Sequence, residues 1–119
     1  MRVALIQMSV TADRARNITA ACQHIRRAAE GGADMAVLPE MFCCPYDNGC
    51  FRAYGEEAGG PAQTALSKAA AELGLYVVGG SLPELEGGRV YNTSYVYGRQ
   101  GELLAKHRKV HLFDIDVEG

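Results

Sequence analysis

The sequence predicts an α/β fold in which a parallel strand pair is extended by antiparallel strands. Two observations carry the prediction. Across residues 3–38 an apolar run, an amphipathic stretch and a second apolar run follow one another, and a strand–helix–strand order favours parallel pairing through a right-handed crossover. Later, Gly87-Gly88 and the Gly98 to Gly101 segment each separate strand-like runs, as turns between adjacent antiparallel strands do. The 119 residues leave room for one domain, which at this size buries roughly two thirds of its unfolded surface.

Taken in order, residues 3–8 form a near-continuous apolar run suited to a strand covered on both faces. Asp13 stands where it can cap the following helix. In that helix Ile18, Cys22, Ile25 and Ala29 recur at spacings of four and three, which sets one buried stripe. Gly31-Gly32 ends it, since glycine enters the left-handed conformation of a C-terminal cap without a Cβ clash. Residues 35–38 read as a second short strand. Residues 43–60 make a long connection rich in Cys, Gly, Tyr and Pro, and connections of that length inside a compact domain are usually functional. Pro61 opens a second helix at its first turn, where the missing N–H has no helical partner to lose. Leu66, Ala69, Ala70 and Leu73 give that helix its apolar face, and Gly74 stops it. Residues 75–82 form a strand, 90–97 its return, and 103–105 open a last strand that leads to Lys109. No repeat, low-complexity tract or linker interrupts this order.

Composition narrows the function. A net charge of -2 gives no reason to expect a nucleic-acid partner. The basic run at 106–109 is short, contains His107, and reads as a solvated strand face. No apolar stretch approaches the roughly 18 residues of a membrane span, and the apolar start lacks the small-residue cleavage site of a secretory signal. Of the four cysteines, Cys22 falls on a helix stripe and Cys43 and Cys44 are adjacent, which makes regular disulfide pairing awkward. Reduced thiols in a cytoplasmic protein are the expectation.

Two charged residues stand among apolar neighbours. Glu40 follows the run Met35-Ala36-Val37-Leu38-Pro39, at the carboxyl end of a strand where ligands gather in α/β sheets. Lys109 is followed by Val110, Leu112 and Phe113. From position alone, Glu40 is equally a helix-capping or salt-bridged carboxylate, and Lys109 a surface lysine on an edge strand. Were the two adjacent, they would suit a general base and an oxyanion partner. His107 and His111 are four apart, as a zinc pair on a helix would be, but the region reads as strand and loop without HExxH, so no metal is expected. Cys43 or Cys44 lies too near Glu40 in sequence for attack geometry and is assigned to packing or pocket lining. Gly79-Gly80-Ser81 matches no phosphate-binding fingerprint.

The segments VALIQMSV, ADMAVLPEMF, YVVGGSLPE and RVYNTSYVYGRQGELLAKHRKVHLFDID resemble, in order and over essentially the whole chain, the nitrilase superfamily of carbon–nitrogen hydrolases. LPEMF and KHRKVHLFDID are the specific parts. HRKVHLFDID, with Pro45-Tyr46 after the glutamate, is similar to the omega-amidase branch. The resemblance implies an α/β fold that is the N-terminal half of a nitrilase-like α-β-β-α sandwich. Residues 1–119 would then be a partial domain that stops before the nucleophilic cysteine. Family members use a Glu-Lys-Cys triad. By motif, Glu40 would be the catalytic glutamate and Lys109 the catalytic lysine. Tyr46 would line the substrate pocket, Asn92 would supply a structural hydrogen bond near the site, and Glu84 a supporting carboxylate. The family's cysteine sits on a strand-to-helix elbow beyond the lysine, and none of Cys22, Cys43, Cys44 or Cys50 matches that motif.

For a complete enzyme the resemblance implies that Glu40 takes the cysteine proton and the thiolate attacks an amide carbonyl. Lys109 would stabilise the tetrahedral oxyanion. Glu40 would then help ammonia leave and activate the water that hydrolyses the thioester. No metal or organic cofactor is implied. The substrate would be a small amide, with omega-amides of dicarboxylic acids favoured by the branch. The complete protein would be a homodimer or larger, without nucleic-acid or membrane partners. A half-sandwich exposes strand edges and apolar faces that its other half covers, and the chain alone is expected to be inactive. Two alternatives stand beside this reading. In one, the chain is half of a split enzyme complemented by a separate C-terminal half. In the other, it is a non-catalytic binding or assembly module.

Overall fold

The computed structural model describes residues 1–109; His111 and the apolar residues after Lys109 lie outside the described residues. Asp13 is extended, and its side chain accepts the Arg16 N–H at 3.1 Å, so helix α1 (Arg14–Glu30) starts where the sequence places its cap. The helix ends at Gly31, whose N–H donates to the Arg27 carbonyl at 3.0 Å. The centre of its buried stripe differs from the expectation. Asn17, Ala21 and Ile25 are buried, and Ile18, Cys22 and Ala29 pack on the flank. An asparagine on the centreline hides the stripe from a reading of apolar spacing. Asn17 is only 1% exposed. Its amide donates to the carbonyls of Thr11 (2.8 Å) and Cys43 (3.0 Å), and its oxygen accepts the Thr11 N–H and hydroxyl at 2.8 and 3.0 Å. Those four bonds offset its desolvation.

Strand β1 (Val3–Leu5) pairs in parallel with β2 (Met35–Val37), which pairs in parallel with β3 (Tyr76–Glu86). Then β4 (Arg89–Tyr97) and β5 (Leu103–Arg108) follow in antiparallel order, giving a five-stranded sheet in chain order. Between β2 and β3 lie a short helix, α2 (Asn48–Phe51), and α3 (Pro61–Leu73). Helix α3 has Pro61 in its first turn and ends at Gly74, whose φ of 67° places it in the left-handed region. The carboxylate of Glu56 caps α3 from outside, accepting the N–H groups of Ala62 and Gln63 at 3.0 Å each, which satisfies two of the donors a helix leaves free at its start.

Helices α1 and α3 pack on one face of the sheet. Ala21, Ile25, Ala62, Leu66, Ala69 and Ala70 from the helices meet Ala36, Val77, Leu82, Tyr95 and Tyr97 from the strands. Because side chains alternate along a strand, Val3, Leu5, Val37, Val78 and Val96 turn to the opposite face, and Leu5 is 78% exposed. Among the described residues, cover for this strand comes from one face only, the face toward the helices. The strand is three residues long, it is an edge strand, and both long helices lie on that side. Among the described residues no helix is long and apolar enough to cross a membrane.

Candidate active site

The site begins with an irregularity in β3. Gly79 pairs with Tyr95 and Leu82 with Thr93, so Gly80 and Ser81 together face Ser94 as a bulge. Bulges bend a strand and re-aim what lies beside it. Here the bulge receives the chain leaving β2. Ser81 donates its N–H to the Pro39 carbonyl (3.3 Å) and accepts the Phe42 N–H on its own carbonyl (3.2 Å). Its hydroxyl accepts the Met41 N–H at 3.1 Å. Gly80 is required by closeness: a Cβ there would lie 2.0 Å from the Leu38 carbonyl oxygen. Met41 adopts φ 52°, a left-handed conformation that costs a non-glycine residue free energy, and its side chain is buried with Cys44, Phe51 and Val90. Phe42 is buried in the main core. With Leu38, Met41 and Phe42 all turned inward, Glu40 is the residue of this elbow that faces out.

Lys109 approaches the same place from the far edge of the sheet. Its backbone N–H donates to the Asn92 carbonyl at 2.9 Å, directly after the Thr93–Arg108 pair that closes the β4–β5 ladder. The Lys109 ammonium lies 3.5 Å from Glu40 Oε2, with the two side chains 60% and 43% exposed. The amide nitrogen of Asn92 donates to the same Oε2 at 2.7 Å. Tyr46 reaches it through its hydroxyl at 3.5 Å, with its ring edge-on to Phe51. Asn92 thus touches both charged residues, one through its side chain and the other through its carbonyl. Among the described residues Glu40 Oε1 makes no bond, so one carboxylate oxygen is held and the other is open.

Glu40 and Tyr46 from one loop, and Asn92 and Lys109 from the far part of the chain, therefore share one cluster, and Glu84 lies elsewhere. Glu84 sits on the helix-covered face of the sheet, 2% exposed. Its carboxylate takes Lys106 Nζ at 2.5 Å, two nitrogens of Arg108 at 2.9 and 3.0 Å, and the Thr93 hydroxyl at 2.7 Å. Burial alone would raise its pKa, but the hydrogen bonds from Arg108, Lys106 and Thr93 outweigh burial and lower it to about 2. Arg108 also pairs with Glu86 and stacks over the Tyr91 ring at 4.0 Å. Sequence reading named Glu84 but not the Lys106, Arg108 and Thr93 contacts that hold it, and it missed the Gly80-Ser81 bulge. A glycine pair inside a strand-like run was the available signal for the bulge.

None of the four cysteines, all free thiols, belongs to the cluster. Cys43 and Cys44 have no exposed surface. A hydrogen bond with Cys44, together with burial, pushes the Cys43 thiol well above the ordinary thiol range. Cys43 packs in the main core and Cys44 in the cluster of Met41, Phe51 and Val90.

Comparison with known proteins finds related sequences and folds. Residues 2–119 match the family model described as carbon-nitrogen hydrolase. The omega-amidase NIT2 of Mus musculus and that of Homo sapiens are each 48% identical over 118 residues, which is 99% of this chain and 43% of the relative. Among solved structures, Nit3 of Saccharomyces cerevisiae, a member of branch 10 of the nitrilase superfamily, is similar with TM-score 0.85 at 38% identity, over 93% of this chain and 44% of that one. An amidase from Nesterenkonia sp. is similar with TM-score 0.80 at 29% identity, over 94% of this chain and 43% of that one. The chain thus spans less than half the length of these relatives.

Proposed function

This chain belongs to the carbon–nitrogen hydrolase family and has the fold of the N-terminal half of a nitrilase-like α-β-β-α sandwich; from that premise we propose that it is the N-terminal part of an omega-amidase-like enzyme. The complete enzyme hydrolyses a small amide to a carboxylate and ammonia through a Glu-Lys-Cys triad. Residues 1–119 form the partial domain that carries Glu40 and Lys109, and the nucleophilic cysteine comes from a segment beyond Gly119. The observation that supports this most is the 3.5 Å approach of Lys109 Nζ to Glu40 Oε2 with Asn92 bonded to the same oxygen.

The roles follow from the two oxygens of Glu40. Asn92 and Lys109 hold Oε2, which leaves Oε1 to accept the cysteine proton as sulfur bonds to the amide carbon. The Lys109 ammonium, already beside the carboxylate, stabilises the oxyanion of the tetrahedral intermediate, a contribution typically of about 2.7–4 kcal/mol. Glu40 passes its proton to the nitrogen, the C–N bond breaks and ammonia leaves. A water then gives a proton to Glu40 while its oxygen attacks the thioester; the C–S bond breaks and Glu40 returns the proton to sulfur. Tyr46, exposed beside Glu40, lines the substrate pocket. Omega-amides of dicarboxylic acids are the substrate class, from the likeness to the omega-amidases, and the complete protein assembles as a homo-oligomer.

Ammonia release from the mono-amide of a dicarboxylic acid tests the proposal. The 119-residue chain alone is expected to match its Glu40→Ala control, and the chain joined in frame to a downstream segment with the cysteine elbow is expected to release ammonia. Release by the chain alone above that control, or an inactive joined protein that folds, would overturn it.

A further inference from the structure

We infer that Glu84 is a positioning residue for Lys109, acting through Arg108 from the opposite face of the sheet; this rests on the proposed pairing of Glu40 with Lys109. Among the described residues strand β5 is the sheet edge, paired with β4. Its last paired residue is Arg108, opposite Thr93. Glu84 binds both members of that final pair, Thr93 through the hydroxyl and Arg108 through two nitrogens. Lys106, two residues earlier on the same face of β5, binds it as well. The next residue in each strand away from these contacts, Asn92 in β4 and Lys109 after β5, turns to the site face and meets Glu40. A shift of Arg108 is therefore transmitted to Lys109 through one peptide unit.

The energetics favour placement over stability as the use of this cluster. A buried carboxylate with two cations pays desolvation for each charge, and apolar groups of similar volume usually stabilise a fold as well or better. What apolar groups do not supply is the fixed two-point geometry between carboxylate and guanidinium. A lysine at the end of this strand, exposed and tethered among the described residues through its backbone N–H to Asn92, needs such a fixed reference if its ammonium is to stay beside Glu40.

Zero-length carbodiimide coupling of the 119-residue chain reads this placement directly. Activation of the Glu40 carboxylate and attack by the Lys109 amine form an amide bond with net loss of water, and peptide mass spectrometry locates it. The surface pair Lys68–Glu72, 3.9 Å apart, serves as the internal reference. The variants are Glu84→Gln and the charge-free E84M/K106M/R108M. The Glu40–Lys109 link is expected in the unaltered chain and is expected to fall about tenfold or more in both variants, since misplacement of about 1 Å is enough for large rate losses. The reference link should hold steady. The triple variant should keep the far-UV circular dichroism and unfolding midpoint of the unaltered chain, which separates placement from stability should Glu84→Gln not fold. Undiminished Glu40–Lys109 coupling in the folded triple variant would overturn the inference, and so would a triple variant that cannot fold. No link in the unaltered chain would overturn the Glu40–Lys109 pairing itself.

Discussion

The two faces of the sheet each join a glutamate to basic residues at the end of β5, and they do so in opposite ways. On the helix-covered face Glu84 is enclosed, with its lone pairs committed to Lys106, Arg108 and Thr93. On the opposite face Glu40, among the described residues, keeps one oxygen unbonded, and its lysine side chain is 60% exposed. The adjacent residues Arg108 and Lys109 serve these different ends because successive side chains of an extended segment point to opposite sides. A saturated carboxylate fixes geometry; an unsaturated one is available for proton transfer.

The contrast breaks most sharply at the enclosed glutamate. Glu84→Ala deprives Lys106 and Arg108, whose side chains are 34% and 33% exposed, of their shared carboxylate and is expected to destabilise the chain by about 2–3 kcal/mol after allowance for screening, read from urea unfolding; a loss under about 1 kcal/mol would mean the cluster is not dry. Gly80→Ala places a methyl against the Leu38 carbonyl and is expected to lose about 2–3 kcal/mol through forced backbone displacement, with the Glu40–Lys109 carbodiimide link reduced as the elbow shifts. Acid sharpens the comparison. The Glu84 carboxyl is held at about 2 in the folded chain, below its unfolded value, so its stabilisation is full above about pH 4.5 and is lost as pH falls toward 2. The loss is on the order of 2 kcal/mol after allowance for screening at the solvent-exposed ends of its cations. Unfolding midpoints across that window should fall in the unaltered chain and much less in E84M/K106M/R108M. Glu40→Gln is the smallest effect, within about 0.5 kcal/mol, as expected for an exposed ion pair, and a larger loss would mark Glu40 as structural.

Much of this architecture was legible in sequence because its signals are local. Asp13, Gly31, Pro61 and Gly74 delimit the two long helices where capping chemistry places them, and Gly87-Gly88 marks the hairpin with positive φ at both residues. Glu40 and Lys109 stood out by charge among apolar neighbours, and motif likeness joined them. The rest depends on contacts that no window of sequence contains. Asn17 lies at the centre of a buried stripe because Thr11 and Cys43 satisfy it. Glu84 is enclosed because cations from β5 meet it across β4. Among the described residues β1 is covered on the helix side, which spacing within a single strand does not reveal.

The claim that the Glu40 face is the chemical one is tested most directly by steady-state ammonia release from an omega-amide by the chain joined to its cysteine-bearing segment. The account predicts that Glu40→Gln and Lys109→Met each lower kcat by about 10³-fold while leaving the folded spectrum intact. Either variant turning over within about tenfold of the unaltered protein would contradict it.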